Sequence, residues 1–214
     1  MSKKILTSFG FEKHKEYLQI ASPTFSWYAS KFEYDLFIPS QNYFSSTIKN
    51  KPYSWWKIEL FQKLFKEYDQ ILWLDSDVII CNFNEDIFDS IPTDHDIGVV
   101  VHETDQGQIP NCGVWALNKS CLSWLDKLWE LDNFKKSWCW WEQAALMSII
   151  GFDMTLDYIP LPEKSNIEWT QLDYAWNIHP YDKRGMLDHP KGFHATMYQD
   201  TAYVMRSIAS QIRI

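Results

Sequence analysis

The sequence predicts an α/β fold, a single domain with a central mixed, mostly parallel sheet flanked by helices. Three observations predict it. In the first half, short runs of β-branched and aromatic residues alternate with helix-length amphipathic segments, the pattern of strand–helix–strand units. The stretch Ile-Leu-Trp-Leu-Asp-Ser-Asp-Val-Ile-Ile at 71–80 is apolar on both sides of two carboxylates, which reads as a strand buried on both faces. Finally, 214 residues suffice for one core burying about 70% of the unfolded surface.

In chain order, residues 4–9 read as the first strand, ended by Gly10, and 14–21 as a short helix stopped near Pro23. Residues 34–38 form a second strand closed by Pro39, and 40–53 a loop without period. Ser54 is the expected N-cap of a helix through 68, whose Trp56, Leu60, Leu64, Phe61, Phe65 and Tyr68 make a wide apolar stripe. The third strand ends at Asp75 and Asp77. Strands at 97–102 and 113–117 follow, separated by a loop containing Gly and Gln. Ser120 is expected to cap a helix to 132, and 141–150 to form a short apolar helix ended by Gly151. Residues 154–159 read as a strand stopped by Pro160, and the stretch to Pro190 shows little periodicity. A short strand or turn at 192–197 and a helix at 201–214 close the chain.

Composition excludes several classes. A net charge of -8 and a pI near 5.2 argue against a binder of nucleic-acid phosphates, which needs a basic face. An acidic chain still binds an anionic nucleotide when a metal supplies the positive charge. Cys81, Cys112, Cys121 and Cys139 have no metal-finger spacing and read as reduced, mostly buried thiols. The N-terminus is not a signal peptide, and no run approaches the roughly 20 apolar residues of a membrane span. A cytosolic protein is expected, or the excised domain of a larger polypeptide. The 12 Trp, 11 Tyr and 13 Phe exceed what a core requires, as in proteins that stack sugars on aromatic rings.

Residues two apart in a strand point the same way, so Asp75 and Asp77 converge if the backbone is extended or tightly turned. Two unneutralised carboxylates about 4 Å apart repel by roughly 4 kcal/mol at an intermediate dielectric. Either one takes a proton or a divalent cation sits between them. The bland alternative is a polar turn closing a strand. Lys57 lies in the first turn of its helix, an unfavourable place for a cation; a diphosphate or base nearby would offset that, the alternative being a solvated face.

Five segments then carry a resemblance: Ser-Trp-Trp-Lys-Ile-Glu-Leu-Phe-Gln-Lys-Leu-Phe at 54–65, Leu-Trp-Leu-Asp-Ser-Asp at 72–77, Asn-Cys-Gly-Val-Trp-Ala-Leu-Asn at 111–118, Trp-Glu-Gln-Ala-Ala-Leu at 141–146 and Gly-Phe-His-Ala at 192–195. In this order they resemble the GT-A (Rossmann-like) nucleotide-sugar glycosyltransferases. The retaining family of plant xyloglucan xylosyltransferases and fungal galactosyl- and mannosyltransferases is most similar. Over the whole chain the sequence is also similar to the glycosyltransferase domain encoded by chlorella viruses, which implies a viral protein working in the host cytoplasm.

The resemblance implies residue roles. Asp77 binds a metal directly, Asp75 binds it while reaching the ribose, and His194 is the late histidine ligand, otherwise a packed core histidine. Carboxylates with one imidazole suit Mn2+ best, Mg2+ being the alternative. Asn111 hydrogen-bonds donor-sugar hydroxyls, and Gly113 lets the backbone come close. Gln143 offers a carbonyl near the anomeric carbon, and Glu142 holds hydroxyls or accepts the acceptor's proton; the pair also fits polar positions on a short helix. Thr7, Ser8 and Phe9 meet the uracil and ribose, with Ser76 among the nucleotide contacts.

The implied reaction moves a hexose from a UDP-sugar, UDP-glucose first, to a hydroxyl of a glycan or glycoprotein. Residues 1–110 would form the nucleotide half, 111–200 the sugar half and 201–214 a closing helix. Two departures stand out: Ala195-Thr196-Met197 replaces the aromatic-small-Gly run after the histidine, and Trp141 stands where a second carboxylate often occurs. The rival readings are an Asp-x-Asp phosphohydrolase and a non-catalytic sugar-binding module.

Overall fold

The computed structural model describes residues 2–131, 141–152, 165 and 167–212. Strand β1 (Lys4–Thr7) is parallel to both β2 (Asp35–Phe37) and β3 (Gln70–Leu74). Beyond β3 lie β6 (Gly107–Asn118), β5 (Ile97–Thr104) and β7 (Trp169–Leu172), giving the order β2-β1-β3-β6-β5-β7. Pairing is antiparallel only across β6, so five of the six strands run the same way, as the sequence predicts.

Period-two alternation splits the interior into two cores. Ile71 and Trp73 of β3 face one, with Trp115 and Leu117 of β6; Leu72 and Leu74 face the other, with Val114 and Ala116. The first core is closed by α2 (Tyr53–Leu64), α3 (Leu122–Glu130) and α4 (Glu142–Ile149). The second is closed by α1 (His14–Lys31), α5 (Thr201–Ala209) and a two-stranded sheet of β4 (Val78–Ile80) and β8 (Gly192–His194).

Several expectations are corrected. Helix α1 does not stop near Pro23 but carries it inside. An interior proline frees the carbonyl four residues back; here the Ser22 hydroxyl donates to that Gln19 carbonyl at 3.5 Å, and buried Phe25, Tyr28 and Ala29 hold the continuation in the core. Helix α2 starts after Pro52, whose extended backbone sets the entry, so Ser54 lies in the first turn and its buried hydroxyl caps nothing. Ser120 likewise is no N-cap: it belongs to a tight turn (Lys119–Cys121) ahead of α3.

The Gly- and Gln-containing loop is mostly strand, because β5 and β6 form a hairpin that pairs Thr104 with Gly107 across Asp105 and Gln106. Strand β7 lies where the sequence shows no period. The expected strand at 154–159 and Cys139 lie outside the described residues; Cys81, Cys112 and Cys121 are free thiols.

Two irregularities shape the site. The run at 71–80 breaks at its carboxylates: Val78 N donates to Asp75 O at 3.0 Å, and β4 leaves the main sheet to pair with β8, Val78 opposite His194. On β6, Trp115 opposes Val99 but Asn111 already opposes Val100, so 112–114 bulge out of the ladder.

Candidate active site

A cavity of about 1420 Å³ opens where β1, β3 and β5 end, the place where ligands gather on such sheets. The turn after β3 brings Asp75 and Asp77 to its floor, and the β4–β8 pairing brings His194 beside them. Each of the three offers a ligand atom within 4.8 Å of the others. Ala195 N donates to Asp77 O at 2.9 Å and fixes the register.

Asp77 Oδ1 is 3.3 Å from His194 Nε2, and both residues are buried. Burial alone would raise the Asp77 pKa, but the His194 charge holds it below the usual carboxylate range. The same pairing holds His194 above the ordinary histidine value although burial opposes it. His194 Nδ1 is buried with no partner among the described residues. Two carboxylates and one imidazole, each offering a single ligand atom, fit a divalent cation.

Bulge residue Gly113 is required by close approach: a Cβ there would lie 2.5 Å from His194 Cε1 and 2.9 Å from Asn111 Oδ1. Asn111 Oδ1 accepts from Gly113 N and from Asn177 Nδ2, each at 2.8 Å. That leaves the Asn111 amide NH2 to donate into the cavity.

Lys57 corrects the reading as a diphosphate or base contact. Its ammonium is buried and takes three protein acceptors: Asp75 Oδ1 at 3.2 Å, Glu142 Oε1 at 3.0 Å and Cys112 O at 3.3 Å. An ammonium has three donors, so none remains for a phosphate. Burial would lower the Lys57 pKa, yet Asp75 and then Glu142 hold it above its ordinary value. Trp73 Nε1 also donates to Asp75 Oδ1, at 2.7 Å. Glu142 Oε2 has no partner among the described residues. Gln143 Oε1 accepts from Cys112 N at 3.1 Å, and only a carbonyl oxygen can do that, so the amide orientation is fixed.

At the first strand the expected trio divides. Phe9 lines the cavity and stacks on Phe11, rings 5.1 Å apart and 9° from parallel. Thr7 and Ser8 are corrected: both are fully buried off the cavity wall, and Thr7 Oγ1 donates across the sheet to Phe37 O at 2.7 Å. Ser76 lines the cavity, its hydroxyl 3.4 Å from His14 Nδ1. Sequence reasoning missed His14, His102, His179 and Tyr181 on the same wall. His102 and Tyr181 carried a signal only in hindsight, a histidine ending a run of valines and an aromatic after His-Pro.

No protein-family model matches the chain, and no curated protein matches it in sequence. Solved structures do match in fold. A glycosyltransferase involved in glycosylating the major capsid of PBCV-1 superposes with a TM-score of 0.70 at 19% identity, covering 95% of this chain and 98% of that one. The glycosyltransferase GlyE of Streptococcus pneumoniae TIGR4 gives 0.61 at 14% identity over 98% of this chain and 60% of its own. The galactosyltransferase LgtC, solved with donor and acceptor sugar analogues, gives 0.55 at 12% identity over 99% and 96%. The chain thus has the GT-A fold.

Proposed function

From the GT-A fold as premise, we propose that the chain is a glycosyltransferase moving a hexose from a UDP-sugar, with UDP-glucose first among donors, to a hydroxyl of a glycan or glycoprotein with retention of configuration. Asp75, Asp77 and His194 hold Mn2+, or Mg2+ in its place. The observation that carries this reading is the convergence of these three side chains within 4.8 Å at the floor of a large cavity. Bound there, a divalent ion supplies Lewis-acid charge to a departing diphosphate, which an acidic protein otherwise lacks.

The contacts support the remaining roles. Lys57 ties Asp75 to Glu142 and keeps both oriented, a positioning role. Asn111 donates its amide NH2 to sugar hydroxyls, and Glu142 Oε2 accepts one. Gln143, anchored on Cys112 N, presents its side chain beside the reacting carbon. Phe9, Phe11 and Ser76 receive the nucleoside. In this reading 1–110 form the nucleotide half and 111–200 the sugar half. The glycosyltransferase of PBCV-1 capsid glycosylation supports a virus-encoded protein, and the galactosyltransferase LgtC supports a hexose donor. No described helix is long and apolar enough to cross a membrane.

A thermal-shift panel tests the reading, because a ligand binding only the folded state stabilises it by about 2.7 kcal/mol at a hundredfold excess over Kd. For a chain of this size that raises Tm by roughly 5 °C or more. UDP with Mn2+ is expected to give such a shift, and UDP or Mn2+ alone a much smaller one. No shift with the pair defeats the proposal.

A further inference from the structure

The cavity wall at the end of β5 carries a second polar device. His102 is 3% exposed, and its Nδ1 lies 3.0 Å from Asp182 Oδ2. Asp182 also accepts from Glu103 N at 3.0 Å, Arg184 N at 2.8 Å, Arg184 Nε at 2.9 Å and Arg184 Nη2 at 2.6 Å. Burial pushes its carboxyl up, but these bonds, led by Arg184, hold it well below the usual range, so it is an ionised acceptor. An ionised carboxylate only accepts, so His102 Nδ1 carries the imidazole proton.

The other ring nitrogen is then bare. Burial keeps the His102 pKa below its ordinary value despite Asp182, so the ring is neutral with a lone pair on Nε2. That atom is buried without a partner among the described residues, on a residue that lines the cavity. His102 is no member of the Asp75, Asp77 and His194 cluster. A phosphate is disfavoured, since it brings a second anion toward the ionised Asp182. A neutral hydroxyl suits the lone pair. Rings lead from there to solvent: His102 and His179 centroids are 4.9 Å apart, His179 and Tyr181 5.8 Å, and Tyr181 is 57% exposed on the cavity wall.

We propose that the Asp182–His102 pair is a saccharide-hydroxyl site, in which His102 Nε2 accepts a hydrogen bond from a sugar whose face packs on Tyr181. It deepens the glycosyl-transfer reading, which it needs only for the class of ligand. The sugar is either the hexose ring of the donor or the incoming saccharide.

Protein labelled with 15N in its imidazole rings separates these cases by NMR with Mg2+ present. Unliganded, His102 Nε2 is expected in the unprotonated range. UDP alone leaves it in place. Movement with UDP-glucose but not with UDP plus methyl glucoside, galactoside or xyloside identifies the donor ring; movement with a glycoside identifies the acceptor. A protonated Nε2 at neutral pH, or no movement with any sugar, overturns the proposal.

His102→Phe keeps a ring and is expected to weaken sugar binding about tenfold, the scale of one lost hydrogen bond, while UDP affinity stays unchanged. His102→Gln, which retains an acceptor, is expected to restore most of that loss; equal weakening by both variants overturns the proposal. Sugar-induced movement without any UDP binding would sink the UDP-sugar reading and spare this site.

Discussion

Two buried polar clusters flank β1 and β3, and they are finished to different degrees. On one side Asp86 accepts from Lys4 Nζ at 2.7 Å, from Phe88 N at 3.1 Å and from the Tyr34 hydroxyl. Tyr28 OH accepts from Ile87 N at 2.8 Å and donates to Glu85 O. No buried side-chain atom of these residues is left unpaired among the described ones. At the cavity, Glu142 Oε2, His194 Nδ1 and His102 Nε2 all are. A fully bonded polar cluster rigidifies the fold, whereas unpaired buried atoms destabilise it unless a ligand completes them. Unpaired atoms also occur away from the cavity, at Ser8 Oγ, Trp115 Nε1 and Trp176 Nε1, so the contrast concerns these two ionisable clusters, and it can be broken by experiment.

The largest effect is expected from Asp77→Ala, which should abolish the Mn2+-dependent thermal shift by UDP while cooperative melting and the circular-dichroism spectrum persist. Retained binding by calorimetry would contradict the assignment of the cavity cluster. Lys57→Met comes next, because it leaves Asp75 and Glu142 facing each other without a counter-charge. Breaking a buried ion pair costs about 3–5 kcal/mol, and the partial exposure of Asp75 puts this one near the lower end. Urea denaturation measures the loss, and Glu142→Gln in the Lys57→Met background should recover part of it; additive losses would show that the pairing is not the cause.

Asp86→Asn should cost about 1–3 kcal/mol through weakened charge-assisted bonds, with UDP and Mn2+ affinity unchanged. A parallel fall in affinity would erase the distinction between the clusters. The smallest effect is in pH dependence, where the two regions should fail at opposite ends. Burial, aided by neighbouring acids, raises the pKa of Tyr28 and Tyr34 in the folded state. Their contribution is complete below the ordinary tyrosine value of about 10 and declines as pH rises above it. Asp182 has a depressed folded pKa, so its contribution is present above the ordinary aspartate value of about 3.9 and is lost as pH falls. Melting curves of Tyr34→Phe and Asp182→Asn across pH would reveal both; a flattened acid limb in the tyrosine variant would reverse the assignment.

How far the sequence could be read varied by element. The helix ahead of the Asp-x-Asp turn and the strand leading into it were legible because 3.6- and 2-residue periods are local signals. Pro23 misled because a proline rule is local too, and tertiary packing of α1 overrode it. Strand β7 went unread because four residues, Trp169–Leu172, carry too little period to stand out, and its strand character comes from pairing with β5. At the site, Asp75 and Asp77 announced themselves by spacing. Lys57 stands in the fifth position of α2 rather than its first turn, and its partner Glu142, 85 residues further along the chain, leaves no local signal.

By itself the sequence determined the α/β class, the strand that delivers the acidic turn, and the set of carboxylate, amide and imidazole residues on which the proposed function rests. Only the tertiary structure decided which of them meet. The β4–β8 register puts His194 against Asp77, the β6 bulge makes room for it at Gly113, and the close of β5 sets His102 on Asp182. The reason is that periodicity and caps act over a few residues, whereas these contacts span 80 to 117 positions and exist only once strand register is set.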